Sequence, residues 1–306
     1  KETNVSVHTV RRIIDDTARL LTIKPLHDLP EHLCFDEFKS VKSSDSNMSF
    51  IICDSTTHKL VDVVRDRKSY SLKKYFHRFE PKSRLKVKTI SIDMYLPYIQ
   101  LIKEMFPNAK IIIDPFHIVQ ALNRELNRTR VRVMNKHRYK DPKLYRKLKH
   151  YWKLILKNPN ELQNYKYNRY KLFESFITSK GIVDYILENN PSLKNDYEVV
   201  HSLRECIQDR DYIEFKETIE AATQLDLSPG LKRVLKTLIT YLPYIQNTCE
   251  HPTRTNGPIE GINNKIKVLK RNAYGFRNYY HFRNRIILIT KMFGPKQKGI
   301  KQQLVA

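Results

Sequence analysis

Glycine is scarce in this chain, with 7 residues in 306. That supply is too small for a turn-rich β protein and favours long helices. There are four cysteines, Cys34, Cys53, Cys206 and Cys249, and no CxxC pair. This spacing excludes the usual zinc modules and a disulfide framework, and reduced cytosolic thiols are expected. No GxxxxGK[ST] or GxGxxG run is present, which argues against a nucleotide cofactor. No uninterrupted apolar stretch approaches the roughly 18 residues that a membrane-spanning helix needs. No secretory signal is visible either, so a cytoplasmic protein without a membrane partner is expected. Acidic residues are also short, 32 Asp and Glu against 56 Lys and Arg, for a formal net charge of +24 and a pI near 9.8. A surplus of that size points to a polyanion as partner. The first residue is Lys1 rather than Met, and a fragment of a longer chain is expected.

The pattern along the chain is mixed at first and then helical. Residues 4–21 read as a helix capped by Ser6, with Val7, Val10, Ile14 and Leu21 near helical spacing. The segment SVHTVRRII is similar to the second helix of a helix-turn-helix, which would put Arg11 and Arg12 near DNA. Pro25 and Pro30 mark a linker. Strands are expected at 32–36, 48–54, 59–65, 86–93 and 110–114, with helices at 71–79 and 95–106. Residues 116–245 show helical periodicity almost throughout, and Asp141-Pro142 and Ser228-Pro229 have the form of helix starts. Residues 121–160 hold 13 Lys and Arg against 2 acids, and residues 196–226 hold 9 acids against 3 bases. The basic stretch suits a phosphate backbone, with Arg124, Arg128, Arg130 and Arg132 as contacts. From Gly261 to Arg285 there are seven Lys and Arg and no acid. Aromatics are interleaved with them, which makes Lys265, Lys270, Arg271 and Arg277 candidates for DNA contact. The hexapeptide YLPYIQ occurs at 95–100 and again at 241–246, with no similarity around the copies that would make it a repeat.

Three short stretches place one acid each on a rigid element. HLCFDEFK ends its apolar run at Asp36, KTISID ends at Asp93, and NGPIEGINNKIK carries Glu260 in a first helical turn. Three carboxylates so placed are ligands for a pair of hard divalent cations. Glu37 beside Asp36 is an alternative, although strand alternation sends the two to opposite faces. Asp114, at another strand end, is an alternative to Asp93. Asp114 and His117 form a DxxH motif that would support the site. On the Glu260 helix, Asn264 at i+4 and Lys267 at i+7 share its face, with Lys267 placed to hold a phosphate, while Asn263 and Lys265 point elsewhere.

These stretches resemble the DDE transposases of bacterial insertion sequences, most of all the ISL-three family. The resemblance rests on SIDMYLPYIQLIKEMFPNAKIIIDPFHIVQALN, on RTNGPIEGINNKIKVLKRNAYGFRNYYHFRNRI and on CFDEFK, and it runs from about residue 5 to 290. It implies an α/β fold: a ribonuclease-H-like mixed sheet with a large all-helical insertion between the second Asp and the Glu. The implied division is 1–27 as the remnant of a helix-turn-helix region and linker, 28–118 as the first part of the catalytic domain, 119–245 as the insertion, and 246–306 as the catalytic C-terminal part with a basic tail. Such transposases usually begin with a zinc-binding module and a complete helix-turn-helix, both of which would lie upstream of Lys1. The implied activity is metal-dependent cleavage and strand transfer of double-stranded DNA at element ends, in a bacterial, nucleoid-associated protein acting as a homodimer or higher. Asp36, Asp93 and Glu260 would be both catalytic residues and ligands of two Mg²⁺ (or Mn²⁺) ions, their carboxylates within about 4–7 Å of one another. Mutual repulsion would turn Glu260 outward when no cation is bound. The alternatives are a catalytically inactive or domesticated DNA-binding derivative, and a structure-selective nuclease on the same fold.

Overall fold

A computed structural model describes residues 4–24, 28–43 and 47–292. In chain order the elements are α1 (Val7–Leu21), β1 (His32–Lys39), β2 (Met48–Asp54), β3 (Leu60–Val64), α2 (Ser69–Phe76), α3 (Pro81–Leu85), β4 (Thr89–Ile92), α4 (Leu96–Met105) and β5 (Lys110–Ile113). They are followed by α5 (Pro115–Lys136), α6 (Pro142–His150), α7 (Trp152–Leu156), α8 (Ser179–Glu188), α9 (Pro191–Asp209), α10 (Tyr212–Ala222) and α11 (Pro229–Glu250). The chain closes with α12 (Gly257–Asn272) and α13 (Tyr279–Met292). It divides into two compact units. One joins residues up to 112 with residues from 254 onward, and the other is the helical stretch 113–253.

In the first unit the five strands form one sheet in the order β3-β2-β1-β4-β5. β1 runs antiparallel to β2 and parallel to β4. The expected neighbourhood of the first and fourth strands is present. Two details differ from the sequence reading. β1 continues past Asp36 to Lys39, because β2 offers it backbone partners beyond the point where β4 ends. A short extra helix, α3, follows Glu80 because Pro81 is preset for a first helical turn.

Both faces of β1 are covered, so its inward residues do not simply alternate with polar ones. On one face Phe35 meets Phe50, Phe76 and Phe106 at ring-centroid distances of 5.0, 5.5 and 6.1 Å. On the other face Cys34, Phe38, Ile51, Cys53 and Val63 share a core with Ile259, Ile262 and Ile266 of α12 and with Phe282 and Ile286 of α13. α1, expected within a helix-turn-helix remnant spanning 1–27, belongs to this same unit. Ala18 is buried in the α12–α13 core, Asn284 donates to Asp15 at 2.7 Å, and Lys291 donates to the carbonyl of Leu21 at 2.8 Å.

Three helices of the helical unit, α5, α6 and α11, start where Asp or Ser precedes Pro. Asp114, Asp141 and Ser228 each accept a hydrogen bond from a first-turn amide, and Pro occupies the first turn behind each. Asp196, fully buried on α9, accepts from Thr129 Oγ1 at 2.7 Å and from the Ser228 amide at 2.9 Å. The expectation of helix almost throughout fails between 157 and 178, where the only regular piece is a 3₁₀ turn at Pro159–Glu161. Tyr165, Tyr167, Tyr170, Phe173 and Phe176 there do not form a stripe of period 3.6, so no continuous helical face exists to bury.

Candidate active site

Asp36 and Asp93 are brought to the same level of the sheet by strand register. The β1–β4 pairing sets Leu33 opposite Ile90 and Cys34 opposite Ser91. Continued by two residues, that register sets Asp36 opposite Asp93, just past the end of β4. Asp36 shares its face with Cys34 and Phe38, which is the face covered by α12. Glu37 points the other way, where it accepts from Arg67 and from the Tyr98 hydroxyl at 2.6 Å each. Burial first, and then this carboxylate, push the Tyr98 hydroxyl pKa upward.

α12 is tied to these aspartates by two asparagines. Asn256, just before its first residue, donates through Nδ2 to Asp93 at 3.2 Å and to the carbonyl of Phe35 at 3.3 Å. Asn263, two turns along, donates through Nδ2 to Asp36 at 2.7 Å. Both asparagines are buried, and the Oδ1 atom of each is buried without a hydrogen-bond partner. The sequence reading turned Asn263 away from the acids, whereas the structure points it at Asp36. Counting i, i+4, i+7 from Asn256 instead of from Glu260 finds this face, because residues 256, 260 and 263 fall within one helical stripe.

Glu260 lies in the first turn of α12 between the two asparagines and is exposed. Among the described residues no three side chains of His, Cys, Asp or Glu come close enough to hold a metal ion together. Donor chemistry nevertheless suits hard divalent cations: carboxylate oxygens on adjacent strands, a third carboxylate on the covering helix, and two buried amide oxygens able to accept from cation-bound water.

The other expected residues are placed as follows. Asn264, Lys265 and Lys267 are exposed on α12. A groove of about 660 Å³ beside Asn263 is lined by Lys39, Met48, Lys267, Lys270 and Arg271. Within it Lys270 is committed to structure: its Nζ donates to the carbonyls of Ser40 at 2.6 Å and Lys39 at 3.2 Å, and burial lowers its pKa. Arg277, Arg11 and Arg12 are exposed. In the helical unit, Asp114 caps α5 by accepting from the Phe116 amide at 3.1 Å, and the His117 ring stands at 90° to that of Phe116. Arg124, Arg128 and Arg132 are exposed at every fourth residue of α5, with Lys136 completing the row. Arg124 contacts Gln120, and Arg128 pairs with Glu125. Arg130 does not join the row. It is buried on the opposite side of α5, where it donates to the carbonyl of Leu148 at 2.8 Å and to Asn127 at 2.9 Å, because two residues turn a helix by about 200°.

A buried carboxylate on the sheet lies outside the expected set. Asp62 on β3 pairs with Arg283 of α13 and accepts from the Tyr75 hydroxyl at 2.8 Å. An Asp inside an otherwise apolar strand, LVDVV, was the available signal.

With this geometry in place, comparison with known proteins gives the family. A model of a transposase family, the DDE transposases of the ISL3 type, matches residues 33–286. The chain belongs to that family. Over 280 residues, 90% of this chain and 64% of the relative, it is 28% identical to the transposase for insertion sequence element IS1001 of Bordetella parapertussis. A shorter match of 130 residues, 36% identical, covers 42% of this chain and 40% of a protein of Lactococcus lactis subsp. lactis described as an ATP-dependent protease. The chain thus spans 40% and 64% of the lengths of these two relatives. No helix among the described residues is long and apolar enough to cross a membrane.

Proposed function

We propose that this chain carries the catalytic part of a transposase that cuts and rejoins DNA strands at the ends of an insertion sequence. The observation that carries this reading is the approach of α12 to the sheet. One helix bearing Glu260 reaches Asp36 and Asp93 through asparagines on either side of that glutamate. The strand order, with antiparallel β1–β3 and parallel β1 and β4, supports a ribonuclease-H-like sheet, and the helical stretch 113–253 has the position of an insertion between Asp93 and Glu260.

Asp36, Asp93 and Glu260 would hold two Mg²⁺ or Mn²⁺ ions. Bound there, such ions activate an attacking water or 3′-hydroxyl and stabilise the leaving 3′-oxygen. The protein's own contribution is positional. Asn256 and Asn263 fix the two aspartates against the sheet. The positive end of the α12 dipole favours a carboxylate at Glu260. Lys267 and Arg271 line the adjoining groove, where a strand's phosphates would run. The α5 row of Arg124, Arg128 and Arg132 offers a second track for double-stranded DNA, and a homodimer or larger assembly on DNA belongs to the same reading. Asp114 and His117 would support the helical unit's part in it.

The protease description of the lactococcal relative is not carried over. The match covers under half of either protein, and this chain has no GxxxxGK[ST] loop to cradle a nucleotide's phosphates. A second reading, a DNA-binding derivative that no longer cleaves, rests on the surplus of 56 Lys and Arg over 32 acids, which would serve binding alone equally well.

The test is cleavage of labelled element-end duplexes with Mg²⁺ or Mn²⁺. Asp36→Asn, Asp93→Asn and Glu260→Gln should each abolish cleavage while duplex affinity stays nearly unchanged, since the phosphate contacts remain. Normal cleavage by Glu260→Gln would sink the three-acid reading, and tight binding without cleavage by the unaltered chain would select the second reading.

A further inference from the structure

The segment between α7 and α8 departs from its helical surroundings, and its construction implies a task. Its ends are closed by a hydrogen bond from the Gln163 amide to Ser179 Oγ at 2.8 Å and by one from the Lys180 amide to the Gln163 carbonyl at 3.1 Å. Across its middle, Asn168 and Ile177 exchange both backbone hydrogen bonds, at 3.0 and 3.1 Å, as an antiparallel pair. Two of its aromatics are spent on anchorage. The Tyr151 ring meets Tyr170 at 6.2 Å and Phe173 at 5.8 Å, and its hydroxyl donates to the carbonyl of Lys171. Phe173 also meets Tyr185 at 5.5 Å, and the Lys147 ammonium lies 4.3 Å from the centre of the Phe173 ring and 4.0 Å from that of Tyr185.

The remaining aromatics are held out in solvent by this closed and anchored loop. Tyr165 is 79% exposed, Tyr167 65% and Phe176 67%. Single exposed rings are ordinary on protein surfaces, but three within twelve residues of an anchored loop are not scatter. The Asn168–Ile177 bridge ties the chain carrying Tyr165 and Tyr167 to the chain carrying Phe176. Lys166, Arg169 and Lys171 are exposed among the rings, with Glu174 as the one acid between Tyr165 and Phe176. Cations that follow a backbone, interleaved with rings that present a π face, are what a nucleic-acid strand with unstacked bases requires. A closed duplex does not offer its base faces.

We propose that this loop, residues 164–177, is a stacking platform for unpaired bases of a DNA strand, with Tyr165, Tyr167 and Phe176 as the stacking rings and Lys166, Arg169 and Lys171 as phosphate contacts. The proposal rests on DNA being the substrate and is independent of whether the three acids cleave it. A transposase that opens, nicks or distorts an element end creates such bases.

The test uses the full chain and a short oligothymidylate, with a second copy carrying one 2-aminopurine, whose fluorescence falls when its base is stacked. Replacing Tyr165, Tyr167 and Phe176 together by Ala should weaken oligothymidylate binding by at least about tenfold and remove the quenching. Binding to a closed duplex of equal length should change by less than about threefold, since the cations remain. The ring-preserving set Tyr165→Phe, Tyr167→Phe and Phe176→Tyr should keep both binding and quenching. The proposal is overturned if the triple alanine variant binds and quenches normally, if single-strand and duplex binding fall by the same factor, or if the ring-preserving set loses as much as the alanine set. Self-association abolished by the alanine set, with oligothymidylate binding intact, would assign the loop to a second copy of the chain and overturn it equally.

Discussion

The two units encode their structure at different ranges. In the helical unit some starts are local: an Asp cap with Pro in the first turn opens α5 and α6, and the cap bonds its own helix. In the sheet unit the decisive joints span the chain. Asn263 reaches Asp36 across 227 residues, Arg283 reaches Asp62 across 221, and Tyr279 reaches the Val63 carbonyl across 216. A unit whose last two helices return after the whole helical stretch needs polar joints that fix where those helices land, since apolar contact alone tolerates sliding. Damage to a joint in the sheet unit is thus expected to cost more than damage to a local signal in the helical unit.

The sharpest way to break this contrast is Arg283→Met. It leaves Asp62, 2% exposed, without its guanidinium. Removing one partner of a buried pair costs about 3–5 kcal/mol. Denaturant unfolding should show a loss of that size, and adding Asp62→Leu should restore a large part of it, because the stranded charge goes too. A near-neutral Arg283→Met would mean that the apolar α12–α13 core alone seats the helices.

The second test lies in the helical unit, at a joint that is not local. His201 on α9 is buried, donates through Nε2 to the carbonyl of Ile155 at 3.0 Å, and accepts at Nδ1 from Arg204 at 3.2 Å. Burial above all, with Arg204 adding to it, pushes its pKa down to about 4. The sign follows from proton uptake. Below about pH 6.5 the unfolded chain binds a proton at this histidine that the folded chain refuses. The stabilisation is therefore complete above pH 6.5 and is lost as pH falls towards 4, up to about 3 kcal/mol in all. Unfolding followed from pH 7 to pH 4 should show this slope, and His201→Gln should flatten it. An unchanged slope in the variant would place the acid sensitivity in other groups.

The sequence discloses the two units unequally, and for the same reason. Capped helix starts are readable because cap and amide are neighbours. So is the parallel placement of β1 and β4, since the order of strands and helices leaves few topologies. Strand alternation separates Asp36 from Glu37 and the family resemblance picks Asp36, but what meets Asp36 is not legible locally: Asn263 contributes through a partner 227 residues away. Arg130 was misread because charge density ignores phase, whereas burial on α5 depends on phase. The repeated YLPYIQ makes the limit plain. One copy opens α4, with Tyr95 as its cap and Pro97 in its first turn, while the other lies inside α11 with Pro243 in mid-helix. Six identical residues took opposite roles because their surroundings decided.

The smallest expected effect tests the local half of the contrast. Asp141 caps α6 by accepting from the Leu144 amide at 3.0 Å, with Pro142 behind it. Asp141→Ala removes that acceptor and the favourable charge at the helix start, at a cost of about 1 kcal/mol. If the signal is local, amide exchange should speed up in the first turn of α6 and stay unchanged in α9 and α11. The contrasting substitution is Ser228→Ala, because Ser228 caps α11 while its own amide is bound by buried Asp196 and its hydroxyl meets Thr129 at 3.0 Å. That cap is wired to two other helices, so its loss should spread to α5 and α9. Equal spreading from both substitutions would mean that the helical unit is as non-locally held as the sheet.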